Sequence, residues 1–142
     1  LEETHPHPPL LPQDALGRAT VRSLALDIAA DIPPLNNVRV LRYLKNNLHI
    51  EEPVRDQWYR HWLDLGFSAM EKRLARDPQC QTFCFKNQPT LADICLVPQL
   101  YNARSIGLDM KSYPTLMNIF SACMELPAFI DASWENQMDA PQ

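Results

Sequence analysis

Glycine is scarce in this chain: Gly17, Gly66 and Gly107 are the three among 142 residues. They are too scattered to build a loop that cradles phosphate, which excludes the common nucleotide-binding motifs. No apolar run approaches the ~18 residues of a membrane span. Basic blocks are missing as well, and the net charge of −4 argues against nucleic acid as a partner. The four cysteines, Cys80, Cys84, Cys95 and Cys123, lack a second pair at zinc spacing. Cys95 and Cys123 fall within apolar helical pattern, where cysteine acts as a small buried hydrophobe. Neither a disulfide framework nor a metal site is expected, and a reducing cytosol suits such a chain. His5 and His7 lie in a proline-rich stretch and read as solvated side chains. No Ser/His/Asp set, carboxylate pair or nucleophile elbow can be assembled from the spacing.

Apolar residues in abundance and a wealth of proline are what the chain does have. Hydrophobic residues make up 46% and charged residues 21%, the balance of an ordinary globular domain. At this length a single domain buries a real core. The 13 prolines mostly separate apolar periodic segments and so punctuate helices. With no clear strand and no repeat, the fold class is all-α, a bundle of five to six helices. Leu1 to Thr4 reads as the last turn of a helix, followed by an extended connector to Pro12. An opening of that kind is expected of a chain cut from something longer. Gln13-Asp14 caps a helix to about Ile32, with Ala15, Val21, Leu24, Ile28 and Ile32 among its apolar positions. Pro33-Pro34 bends it, and helix resumes over 35–48. Pro53 starts a long helix whose stripe is Trp58, Trp62, Leu65, Ala69 and Leu74. Phe83-Cys84-Phe85 reads as a short extended anchor. Tyr113-Pro-Thr starts a helix with Leu116, Ile119, Phe120 and Cys123 inward, and Pro127 a last short one. Residues 134–142 read as a loosely packed tail.

The segment from Thr90 to Gln99 is the most specific. Thr90 can cap a helix start, and Asp93 three residues on can accept from the Thr90 backbone N–H, a short-armed capping box. Pro89 and Ile94 stand at the positions of a hydrophobic staple. The helix that follows is apolar on most sides, with Pro98 inside it as an expected kink. Gly107 stands at its C-terminal stop. Asp93 has the position of a catalytic acid, but capping accounts for it with no chemistry.

One other stretch draws attention to function, Asp31 to Val40. Two prolines break the helix, Asn36 and Asn37 bring amides, and Arg39 adds a fixed charge that can grip a carboxylate with paired hydrogen bonds. Such an edge can receive a small anion, or it is a solvated bend with an asparagine cap. Arg104, near the end of the kinked helix, is a second cation for an anionic ligand or a charge favoured at a helix C-terminus.

The strings Leu1–Pro12, Asp31-Ile-Pro-Pro-Leu-Asn-Asn37, Thr90–Gln99, Asn102-Ala-Arg104, Tyr113-Pro-Thr and Glu135-Asn-Gln together resemble the zeta-class glutathione transferases. That group includes the maleylacetoacetate and maleylpyruvate isomerases. The resemblance spans nearly the whole chain but matches only the family's C-terminal helical domain. It implies a connector over 1–12, a substrate domain over 13–133 and a tail over 134–142. It also implies a missing N-terminal thioredoxin-like domain, a homodimer and a cytoplasmic enzyme with glutathione as cofactor. In that chemistry the glutathione thiolate adds to the cis double bond of a diketo diacid, the new single bond rotates, and elimination gives the trans product. The small dicarboxylate substrate and glutathione would meet Pro33, Asn37, Val38 and Arg39, with Arg104 nearby. Catalytic residues would lie in the missing domain, so the chain alone is expected to be inactive. Pro33 stands where the family commonly has a histidine or glutamine, and Ser105 where many members carry an arginine. A binding or dimerisation domain that kept the fold and lost the chemistry is the alternative.

Overall fold

Residues 2–140 are described by the structure, a computed structural model. Among them, five helices of nine residues or more carry the architecture, α1 Ala15–Ala29, α3 Val38–Asn46, α4 Glu52–Leu74, α5 Leu91–Ser105 and α6 Pro114–Cys123. Two short ones, α2 Pro33–Asn36 and α7 Pro127–Asp131, and two 3-10 turns complete it. A single isolated bridge, Cys80 to Lys86, is the only extended pairing among the described residues.

Local chemistry sets the helix limits. Asp14 has extended backbone and its carboxylate accepts from the Gly17 N–H at 2.7 Å, satisfying a donor that the first turn of α1 leaves free. From there Val21, Leu24, Ala25 and Ile28 recur at helical spacing and are buried. Pro114, at the start of α6, has no N–H to satisfy. The next two donors, Thr115 and Leu116, are met by the Glu71 carboxylate of α4 at 2.9 and 3.0 Å. This cap, supplied from another helix, fixes how α6 lies on α4. At the far end of α5, Gly107 takes a φ of 67°, the left-handed conformation that ends a helix at little cost to glycine.

The core lies where α1, α4, α5 and α6 meet, with α1 and α5 packed most extensively. Burying each of its large side chains contributes roughly 1.5–3 kcal/mol. α6 buries Leu116, Ile119, Phe120 and Cys123, the face its spacing indicates.

Several expectations need correction. The core stripe of α4 is Leu63, Phe67, Met70 and Leu74, so of the expected set Leu74 alone is in the core. Trp58 and Trp62 are half-buried, and Leu65 is 54% exposed. The two tryptophans instead meet edge to face, 5.6 Å between ring centroids, and Trp58 donates to the Leu35 carbonyl at 3.0 Å. Trp58 thus supports the bend after α1 rather than the core. Ala15 is exposed at the first residue of α1. α5 is also less enclosed than its sequence suggests, because Ile94, Pro98 and Asn102 form an exposed stripe one helical turn apart. In the tail, residues 134–139 are exposed, and Gln137 donates to the carbonyls of Asp131 and Ser133 at 2.9 and 3.0 Å. Leu1, and the last two residues of the expected tail, lie outside the described residues.

Candidate functional site

α1 ends at Ala29, and Ile32 follows in a last hydrogen-bonded turn, its N–H donating to the Ile28 carbonyl at 3.0 Å. Pro33 and Pro34 cannot extend this ladder and instead start the single turn of α2. Asn37 stops α2 with extended backbone and begins α3, accepting from the Val40 N–H at 3.1 Å. Two bonds from α4 hold the bend. The Asn36 amide donates to the Tyr59 carbonyl at 3.1 Å, and the Trp58 indole reaches Leu35. A close crossing is also required here. A Cβ on Gly66 would lie 2.6 Å from the Ile32 side chain, which is itself buried.

Of the residues singled out here, Val38 and Arg39 face solvent, and Val38 is 60% exposed despite its apolar side chain. Arg39 makes no ion pair or hydrogen bond among the described residues. Its guanidinium is therefore available to a carboxylate. Asn37 is engaged at both ends, since its amide nitrogen also donates to the Pro34 carbonyl at 3.2 Å. Pro33 is half-buried and offers a ligand no donor. The structure thus brings Pro33, Asn37, Val38 and Arg39 together on one bend, with one free cation among them. Arg104 lies near the end of α5. Its guanidinium carbon lies over the Phe120 ring of α6, 5.5 Å from the centroid.

Thr90 and Asp93 form the expected capping box at the start of α5. The Asp93 carboxylate is fully buried and accepts from the Thr90 N–H at 2.7 Å, the Thr90 hydroxyl at 2.8 Å and the Cys84 N–H at 2.8 Å. That last bond pins the buried Phe83-Cys84-Phe85 segment under α5. Desolvation by burial, then the Asp93 charge, pushes the Cys84 thiol well above the usual range. The Cys123 thiol, raised by the same two causes, reaches about 12. Neither thiol is a nucleophile at neutral pH.

The exposed stripe of α5 opens onto an apolar groove of about 650 Å³, walled by Pro8 and Leu10 of the connector, by Ile94, Pro98 and Tyr101 and by Phe129 and Trp134. The connector is tied down beside it: the Glu2 carboxylate accepts from the Leu10 and Leu11 N–H groups at 3.0 and 3.2 Å. Leu10 in turn accepts from the Leu91 N–H at 2.9 Å.

Compared with known families, residues 54–129 match the family model described as the glutathione S-transferase C-terminal domain. The chain belongs to that family. Over 140 residues this transferase domain is 47% identical to a probable maleylacetoacetate isomerase of Vibrio cholerae, covering 99% of the chain and 64% of the relative. The chain thus spans about two thirds of the length of the curated relatives it matches. A holo structure of maleyl pyruvate isomerase, a bacterial zeta-class transferase, superimposes with a TM-score of 0.96 at 42% identity, over 99% of this chain and 66% of that one. The maleylacetoacetate isomerase of Anaeromyxobacter dehalogenans, solved with glutathione in its active site, gives 0.90 at 41% identity, over 99% and 62%. The all-α transferase fold expected from the sequence is the one observed. No helix of the described residues is long and apolar enough to cross a membrane.

Residue patterns did not disclose the contacts between distant segments. Arg60 donates twice to the Ile106 carbonyl, and the Tyr113 hydroxyl donates to Asp64. Burial first, and the Asp64 hydrogen bond and charge after it, push Tyr113 up to about 12. Nothing in the local sequence signals either contact.

Proposed function

We propose that this chain is the helical domain of a zeta-class glutathione-dependent cis–trans isomerase. Its substrate would be a diketo diacid of the maleylacetoacetate or maleylpyruvate type. The observation that carries this reading is likeness along the whole chain, bend included, to proteins named for that activity. Glutathione, when bound, supplies the thiolate for reversible addition across the cis double bond. The contribution of this chain is a clamp. Arg39 fits one carboxylate of glutathione or of the diacid, its guanidinium being exposed and unpaired. Val38 covers the apolar part of the ligand. Asn37 holds the bend with one amide hydrogen and one lone pair, and its second amide hydrogen remains for the ligand.

Thiolate stabilisation falls to an N-terminal thioredoxin-like domain, in keeping with the greater length of the relatives. The apolar groove beside the connector is the seat for that domain, with 1–12 as connector, 13–133 as substrate domain and 134–142 as tail. The whole protein would be a cytoplasmic homodimer. A second reading, a domain that retains the fold for binding or assembly, is favoured by Pro33, which offers no donor, and by Ser105, which stands where many members of the family carry an arginine and whose hydroxyl donates to the Asn102 carbonyl at 2.8 Å.

The test is an isomerase assay on a chain extended N-terminally to the length of the relatives, with maleylpyruvate as substrate. Glutathione-dependent turnover is expected, and Arg39→Gln should raise KM roughly tenfold with kcat little changed, the signature of a lost charge contact. Pro33→His should tighten glutathione binding. Glutathione binding without turnover would favour the second reading, and the absence of both would sink the proposal.

A further inference from the structure

On the outer side of α4 lies a second cleft of about 350 Å³, apart from both the bend and the apolar groove. Pro53, Gln57, Arg60, His61 and Asp64 wall it from α4, and Leu108 closes it from the segment after α5. The α4 residues recur at helical spacing and so share one face. Two ties set the shape of the cleft. The Arg60 Nε and Nη2 both donate to the Ile106 carbonyl, at 3.1 and 2.9 Å. The Tyr113 hydroxyl donates to Asp64 Oδ1, and its raised pKa keeps the proton on the phenol.

Each tie engages only part of a charged group. Arg60 retains both Nη1 hydrogens and one on Nη2, and Asp64 retains Oδ2. The two do not pair with each other, the ion pair among the described residues being Arg73 with Asp27. A fixed cation and a fixed anion therefore stand one helical turn apart, with β-carbons about 5–6 Å from each other.

We propose that this cleft binds the α-amino carboxylate head of a small molecule. The ligand carboxylate lies on the free edge of Arg60 and its ammonium on Asp64 Oδ2. A simple carboxylate would satisfy Arg60 but face the Asp64 charge, and a simple amine would do the reverse. A zwitterion matches both and leaves the site electrically balanced. Gln57 and His61 add polar contacts at the rim, and Pro53 and Leu108 are the apolar walls. Because the two ties already hold Arg60 and Asp64 in place, little rotamer freedom is lost on binding. The cleft is open and its charges are exposed, so the affinity belongs in the millimolar range.

The test is an NMR titration of the 142-residue chain, following backbone amides with L-glutamate, succinate and n-butylamine as probes. L-glutamate should produce saturable shifts at Gln57, Arg60, His61, Asp64 and Leu108. Succinate and butylamine should bind roughly tenfold more weakly or worse. Arg60→Gln and Asp64→Asn should each weaken L-glutamate by about tenfold, and Asp64→Asn should narrow the gap between L-glutamate and succinate. Asparagine still accepts from Tyr113, so the second variant keeps the loop in place even where the first loosens it. Equal responses to the three probes would overturn the proposal. So would no response up to about 50 mM, far above a millimolar half-point, or unchanged L-glutamate binding in Asp64→Asn. None of these outcomes depends on whether the extended protein is an isomerase.

Discussion

Asp93 illustrates how one side chain organises a neighbourhood. Its carboxylate sits at the third residue of α5, where the helix dipole favours negative charge, and it collects three donors from two segments. A carboxylate buried this completely is tolerable because each donor is short and directed at it. Removing it leaves the N–H groups of Cys84 and Thr90 without partners in a place water does not reach. Asp93→Ala should therefore cost about 3 kcal/mol or more, well beyond the ~1 kcal/mol of an ordinary exposed cap. Urea unfolding of the two proteins measures the difference. A loss no larger than that of an exposed cap would mean that the Phe83–Phe85 segment finds other partners. The Thr90–Asp93 relation was legible in the sequence because its partners lie three residues apart. The Cys84 bond, nine residues away, was not.

At the scale of elements, the decisive crossing is that of α4 with the bend. Gly66 allows Ile32 to lie against α4, and Ile32 is the residue just before Pro33. Adding one methyl at Gly66 forces a buried isoleucine to move, at about 1–3 kcal/mol of overpacking strain. Gly66→Ala should lower stability by that amount and displace the bend, seen as chemical-shift changes at 33–39 on a chain that still folds. Shifts confined to α4 would show that Ile32 gives way without moving the prolines. The bend itself could be read from Pro33-Pro34 and the capping Asn37, since proline and N-cap chemistry are local. The faces of α4 could not. Trp58, Trp62 and Leu65 look like core by size, yet packing placed Leu63 and Phe67 inward and left Trp58 to brace the bend with Trp62 against its ring. The second cleft was invisible for the same reason, because Arg60 and Ile106 are 46 residues apart and Asp64 and Tyr113 are 49 apart. Only the path of the chain brings them together.

The molecule as a whole has two kinds of apolar surface, a core closed among α1, α4, α5 and α6 and a groove left open beside the connector. Ile94 belongs to the second, 40% exposed on a helix whose other face is fully buried. If the groove seats an N-terminal domain, a charge at Ile94 matters only when that domain is present. In the 142-residue chain, Ile94→Glu should leave the melting temperature nearly unchanged and should reduce any self-association through the groove, because the new carboxylate stays in water. In a chain extended to the length of the relatives, the same change would bury a charge at the domain contact. It should then cost about 1–3 kcal/mol and open the connector to proteases. Thermal melts and limited proteolysis of both lengths, each with and without the substitution, separate the two cases. An equal effect in the short and the long chain would mean that the groove stays exposed in the extended protein, and the domain would have to be seated elsewhere.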